Sequence, residues 1–428
     1  MTPKRRWAYL AAAIAALFAA AWLLLLALVP SDDELARRVE AEFESRFGQK
    51  LVVGAVRWRV LGLPMVEVQD AHTEQPEPIH VRRAAIYPEL IPLLQKRLVI
   101  NRLEVDGAEV PRNALAAYRG KEPSGEEGAV VVVRHVAFTD VTYISYSGVP
   151  VVYEGDIAFD DDRMPQRVQL RRPGAQPSAS LDAVRDGKTE GGADVYQLQL
   201  QAAGGSARGQ ASLLTTAEGR ITLTGTFEPR QVDVSTLLDT FNRRSPIGGA
   251  ASGTTELRAE GDTLAELFRS LHTRSVLEVQ SAKILRFNME KAVKSLGEDT
   301  AGQTPLESLV GVVTTQNTEQ GMRTEFTRVK AVAGPYTATG RATLYRKQVN
   351  AQGIVEIGGG VVDVPFAARG PTAKPEFEVA WGTIAGAVVG TAVMPGVGTV
   401  IGAKIGGVIS GPPGEASDKD KPLPPYRR

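Results

Sequence analysis

The sequence contains no cysteine. That absence removes disulfides, thiolate nucleophiles, zinc-thiolate sites and iron–sulfur clusters together, and it suits a compartment in which stray thiols would oxidise. Aromatic residues are scarce, at 6%, so a thick sandwich core has little to fill it, and 43 glycines imply many turns. Neither sign of charge is in excess. Lysine plus arginine and aspartate plus glutamate number 49 each, with the basic residues scattered, so no nucleic-acid partner is expected. His72, His80, His135 and His272 show no H-x-x-x-H or H-E-x-x-H spacing, so each reads as an isolated strand or surface histidine and no metal centre is expected. Asp160, Asp161 and Asp162 lack the alternate-position ligands of a calcium loop and read as a solvated loop. The stretch GVGTVIGAK at 396–404 fits neither G-x-x-x-x-G-K-[ST] nor G-x-G-x-x-G. With no G-x-S-x-G elbow and no paired catalytic carboxylates, neither a cofactor nor an enzyme activity is expected.

What is present begins with an apolar run. Residues 7–29 carry no charge, a length that spans a bilayer core, with Lys4, Arg5 and Arg6 before it and Asp32, Asp33 and Glu34 after it. The basic flank places residues 1–6 in the cytoplasm and everything beyond the anchor outside it, in a bacterial cell the periplasm. A cleaved signal peptide would have a shorter apolar region and a small-residue site, which LLLLALVPSDDE does not offer. Ser31 is a suitable N-cap for a short amphipathic helix carrying Leu35, Val39, Phe43 and Phe47 at helical spacing before Gly48.

From Leu51 the period becomes two. Val52, Val56, Trp58 and Val60 point one way and Arg57 and Arg59 the other; Val66 and Val68, Leu103 and Val105, and Val132, Val136 and Phe138 repeat the pattern. It is clearest where Ile221, Leu223 and Phe227 alternate with Thr222, Thr224 and Thr226. Helical stretches are few: ELIPLLQKR after Pro88, VSTLLDTFNRR from Ser235, TLAELFRSLHTR from Thr263, and NMEKAVKSLG capped by Asn288 and ended by Gly297. Gly120–Gly128, Arg185–Asp194 and Ser245–Gly253 read as loops. These helices are too few and short to cover so many one-sided strands. Two solutions remain: a sandwich or barrel closed around its own side chains, or a trough whose apolar lining is covered by a ligand.

Three stretches carry a family resemblance. ARRVEAEFESRFGQKLVVGAVRWRVLGLPMVEVQD, with Phe47, Gly48 and Gln49 at its turn, is followed by IHVRRAAIYPELIPLLQKRLVINRLEVDGAEV. GTTELRAEGDTLAELFRSLHTRSVLEVQSAKILRFNMEKAV comes next, and the strand-rich stretch from Met322 ends on Val364, Pro365, Phe366, Gly370, Pro371 and Pro375. In this order they resemble the AsmA-like proteins of Gram-negative envelopes. The resemblance implies an inner-membrane, single-pass protein with a periplasmic β-groove, related to bridge-like lipid transfer proteins, that carries phospholipid in support of the outer membrane. The implied fold is mainly β: a transmembrane helix, then an elongated, curled antiparallel sheet forming an apolar groove, with a few short helices. Val56, Trp58, Val60, Val66, Val68, Ile221, Leu223 and Phe227 would line the groove. The implied organisation is a cytoplasmic tail (1–6), an anchor (7–29), a helix and β module (31–119), a middle groove segment (129–244), a C-terminal β module (253–380), a glycine-zipper segment (381–410) and a disordered tail (411–428).

In the penultimate segment Gly382, Gly386, Gly390, Gly398, Gly402 and Gly406 recur every four residues, with Met394 in the gap, and form one smooth ridge if helical. Pro395 would break that helix into a hairpin. The expectation is a segment that meets a membrane, a distal envelope partner or a second copy, the plain alternative being a small-residue hairpin lying over the groove's end. A second function class stays open: an anchored, non-catalytic scaffold that uses sheet edges in outer-membrane protein assembly without carrying lipid.

Overall fold

The computed structural model describes residues 32–59, 64–89, 99–112, 132–145, 148–160, 164–216, 219–262, 264–295, 298–318, 320–372 and 375–380, together with residues 92, 114 and 382. The expected anchor at 7–29, Ser31, Val60, the ELIPLLQKR helix apart from Pro92, the 120–128 loop, Gly297 and the glycine segment beyond Gly382 lie outside these residues. Among the described residues no helix is long and apolar enough to cross a membrane. The described residues are mainly β, with 22 strands. Two compact units divide it, Met1–Val141 and Thr142–Arg428.

The first unit opens with α1 (Asp32–Phe47), whose first turn is acidic as the positive end of a helix favours. Four strands follow as an antiparallel meander: β1 (Leu51–Arg59), β2 (Met65–Thr73), β3 (His80–Pro88) and β4 (Val99–Pro111). β5 (Val132–Val133) pairs parallel with β4, a departure from the expected all-antiparallel sheet, and β6 (His135–Ile144) also joins β4. Leu35 and Ala36 of α1 lie on a cluster of Val56, Val66, Val68 and Ala71, edged by Leu51, Val53 and Trp58. The expected phase of β1 therefore fails at its start: Leu51 and Val53, not Val52, share a face with Val56. The cause lies partly on the neighbouring strand, where Asp70 adopts φ 53° opposite Gly54. Gly54 and Asp70 drop out of the pairing between Val53↔Ala71 and Ala55↔Gln69 with no shift of register, and the left-handed backbone at Asp70 interrupts the regular pleat there. Glu40 on α1 accepts a hydrogen bond from the Val53 backbone N–H at 3.0 Å and so satisfies one donor of β1.

On the opposite face Glu67 is buried. The Gln69 side-chain amide donates to it at 2.8 Å, Arg83 Nε at 3.3 Å, and Arg59 lies 3.8 Å away. The Gln69 hydrogen bond, against burial and with help from Arg83 and Arg59, holds this carboxyl below the usual carboxylate range. A depressed carboxyl adds stability above its unfolded pKa and loses it as pH falls through the folded value. Wild type should therefore exceed Glu67→Gln in the unfolding midpoint of this unit at neutral pH, and the gap should close on acidification through the carboxylate range. A gap independent of pH would contradict that assignment.

The second unit is a long meander. Its main strands are β7 (Pro150–Phe159), β8 (Pro165–Arg172), β9 (Ala179–Lys188), β10 (Asp194–Ala202), β11 (Gly205–Thr215), β12 (Ile221–Arg230), β14 (Ile247–Gly261) and β15 (His272–Ile284). β17 (Ser308–Thr318), β18 (Gly321–Ala333), β19 (Tyr336–Tyr345), β20 (Gln348–Ile357), β21 (Val362–Pro371) and β22 (Glu376–Val379) complete it. Each of these pairs antiparallel with the next. Two short bridges, β13 (Val232–Asp233) and β16 (Thr304–Pro305), attach to β14 and β15.

Ser245–Gly253, expected as a loop, is largely the first half of β14. Its glycines serve close packing: a Cβ at Gly249, whose φ is 124°, would lie 2.8 Å from the Gln280 carbonyl oxygen and 2.9 Å from Ala282 Cα. Gly249 on β14, Ser281 (φ 49°) on β15 and Arg328 (φ 51°) on β18 coincide with register shifts, which bend the strands and increase their twist. The Arg185–Asp194 loop is likewise shorter than expected, since β9 reaches Lys188.

The helices of this unit are short, six or seven residues each, and sit at strand ends. α2 (Val234–Thr240) is capped by Asp233, whose Oδ1 accepts from Thr236 N–H at 2.8 Å. Burial alone would raise the Asp233 pKa, but hydrogen bonds from Thr236 and Ser235 hold it below its ordinary range. α3 (Leu264–Ser270) stops four residues before the expected Arg274. Ser270 Oγ binds Leu267 O and accepts from the Glu260 N–H, and β15 begins at His272. α4 (Met289–Lys294) is capped by Asn288 as expected, its Oδ1 accepting from Lys291 N–H at 2.9 Å.

Candidate functional site

The site is one face of the second unit's sheet. Residues directly opposite across an antiparallel ladder project to the same side, so the register can be followed as a row of side chains. One row runs Ile157–Val168–Ala183–Leu198–Gly209–Phe227–Thr255 across β7 to β14. It continues Ser275–Val313–Phe326–Ala342–Ala351–Ala368–Phe377 to β22. No member is charged.

The neighbouring row, one residue along every strand, faces the other way. It reads Arg167–Val184–Gln197–Gln210–Thr226–Glu256–Arg274 and then Thr314–Glu325–Thr343–Asn350–Arg369–Glu376. Along these two rows the sheet has an apolar side and a wet side, although Val276, Val310 and Ile354 on other rows of the latter are exposed apolar residues. Flanking rows strengthen the first side: Leu213, Leu223 and Ala259 lie together, as do Leu170, Leu181, Leu200 and Ala207.

That apolar side is incompletely covered. Leu198, Phe227, Val313 and Phe326 are only half-buried, and Phe377 at the row's end is 67% exposed. Val364 alone among the larger described side chains is essentially sealed, and most of the other deeply buried apolar residues are alanine or valine. Protein covers the margins. Met289 and Val293 of α4 pack on Val355, Val362 and Val364, and α3 closes over Gly261, where an added Cβ would meet Leu267 N at 2.6 Å. Between these margins lies the row through Phe227 and Phe326. Burial raises the pKa of Tyr153 and Tyr196, both on this side of the sheet, as a poorly solvated surface does to a phenol.

The sequence-selected residues fall into three groups. Ile221, Leu223 and Phe227 sit on the apolar side of β12, half-buried, with Thr224 and Thr226 exposed opposite them. Val56, Val66 and Val68 are deeply buried in the first unit beneath α1, and Trp58 joins them half-buried, its buried indole N–H having no acceptor among the described residues. Val60 lies outside the described residues. So do Gly386, Gly390, Gly398, Gly402 and Gly406, while Gly382 is described as helical.

Two expectations about polar residues are corrected. His72 and His80 are not isolated: they face each other across β2 and β3 with ring centroids 5.7 Å apart. Asp160 is not a solvated loop residue, because Arg185 Nη1 lies 2.7 Å from it and its side chain is only 13% exposed. Arg185 also approaches Asp194, buried on β10, at 3.5 Å, which places an ion cluster at one margin of the apolar side. Among the described residues no group of three or more histidine, aspartate or glutamate side chains is arranged to hold a metal. Comparison of the chain with protein-family models, with characterised proteins and with solved structures found no match.

Proposed function

We propose that the protein is a non-enzymatic lipid carrier that shelters acyl chains on the apolar side of its second unit, with headgroups left toward water. The observation that carries this reading is the pair of adjacent rows: one without charge from β7 to β22, the other polar at nearly every position. A large uncharged face is normally buried by a second layer, and here the described helices cover its margins only. An acyl chain satisfies such a surface because it asks for no hydrogen bonds and gains about 0.8 kcal/mol for each buried methylene. Anchorage to a bacterial inner membrane, a periplasmic location, and a distal partner or self-association through the 381–410 segment belong to the same proposal, resting on the sequence pattern and the AsmA-like resemblance. The test is direct. The purified full chain, exchanged into a lipid-free detergent and extracted for mass spectrometry, should retain phospholipid in stoichiometric amount; a lipid-free protein would turn the reading toward an assembly scaffold.

A further inference from the structure

Among the described residues the apolar side carries a cation, Arg172, with no carboxylate partner. By strand alternation Arg172 at the end of β8 projects to the same side as Val168 and Leu170. Its guanidinium is held by three backbone carbonyls: Nε donates to Thr240 O at the end of α2 at 3.2 Å, and Nη1 donates to Val152 O at 3.3 Å and Pro173 O at 3.1 Å. Among the described residues it forms no ion pair, unlike Arg185, which two aspartates hold at the β9–β10 margin. Tyr153, on the facing strand β7 and on the same side, feels the Arg172 charge, which opposes the upward push of burial on its hydroxyl. Among the described residues Nη2 has no protein acceptor, although the fork is fixed in place. Carbonyls orient a guanidinium without cancelling its charge, and a fixed, uncancelled guanidinium suits the planar oxygens of a phosphate.

We infer that Arg172, with Tyr153 beside it, anchors the phosphate of an anionic phospholipid whose acyl chains lie along the neighbouring apolar rows. This rests on the carrier reading and adds to it a headgroup class and a place where the headgroup sits. The alternative occupant, free phosphate, lacks the acyl chains that the adjoining Leu170 and Leu181 favour.

The full chain in detergent is offered phosphatidylglycerol or diacylglycerol, each with a photoreactive acyl chain, and cross-linked lipid is quantified. Wild type should label with phosphatidylglycerol about fivefold to tenfold more than with diacylglycerol, as one charge-assisted hydrogen-bonded contact provides. Arg172→Met should reduce the first to the level of the second and leave diacylglycerol labelling unchanged, while Arg172→Lys should retain part of the preference. A preserved preference in Arg172→Met overturns the inference and leaves the carrier reading standing. Failure of both lipids to label wild type overturns both. Excess inorganic phosphate should displace little; full displacement would assign the site to the free ion and overturn the lipid assignment. Should Arg172→Met fail to fold, wild type decides the matter: a phosphatidylglycerol carrying its photoreactive group on the headgroup should cross-link to peptides containing Tyr153 or Arg172, and mapping elsewhere overturns the inference.

Discussion

Leu223→Asp should lower the phospholipid that co-purifies with the protein by about thirtyfold, and Thr224→Asp should leave it unchanged. Leu223 lies between Leu213 and Ala259 on the apolar side, whereas Thr224 is exposed between Ser212 and Arg258 on the wet side. A carboxylate at 223 would have to be desolvated by acyl chains with no partner to compensate it, a cost of about 2 kcal/mol or more, which is the stated factor in binding. At 224 the same group stays in water, beside an arginine. Lipid quantified by mass spectrometry, with circular dichroism to confirm that strand content is kept, checks the pair. Equal losses from both substitutions would mean that the two sides of the sheet are not chemically distinct toward lipid.

The second large effect is on stability. Gly209→Val should destabilise the second unit by about 3 kcal/mol, because overpacking against backbone cannot be relieved by turning a side chain. A Cβ at 209 would lie 2.1 Å from the Thr226 carbonyl oxygen and 2.5 Å from Phe227 Cα, so β12 would have to move away from β11. Gly191→Val is the control. There the nearest atom to an added Cβ is Thr189 Oγ1 at 3.8 Å, and the change should stay within about 0.5 kcal/mol. Denaturant midpoints followed by circular dichroism decide it, and closely similar midpoints for the two variants would show that β11 and β12 do not approach as described.

How far the sequence could be read depended on whether the controlling atoms were local. β12 was legible because its residue types alternate from Ile221 to Arg230, and its burial alternates with them from Leu223 onward. The Asn288 cap was legible for the same reason: the accepting side chain, the donating Lys291 N–H and the helix start lie within four residues. Val52 was misplaced because the pleat is interrupted where Gly54 faces Asp70 on the paired strand, and nothing within β1 reports the left-handed backbone of Asp70. Gly248 and Gly249 looked like a loop because glycine is the usual mark of a turn, whereas here the missing side chains admit the Lys283 side chain at Gly248 and the β15 backbone at Gly249. The turn between β19 and β20 hid in a similar way. Arg346 and Lys347 both adopt left-handed φ, at 51° and 61°, a task usually given to Asn–Gly, and Arg346 is placed over the Tyr345 ring at 5.3 Å.

The candidate site was legible in kind but not in extent. Three apolar residues of β12 announced a one-sided strand; that the same side continues through Leu198 and Phe326 depends on register between strands, a quantity that no single strand encodes. The His72–His80 stack and the isolation of Arg172 from carboxylates are also products of pairing and packing across the chain.

Because each main strand of the second unit pairs, among the main strands described, with its predecessor and successor, adding or deleting a whole hairpin away from the β13 and β16 bridges would change the apolar track by two places and leave the other main-strand ladders intact. The reach of the track is then an adjustable dimension, set by how many hairpins are written into the chain, while its cross-section stays constant.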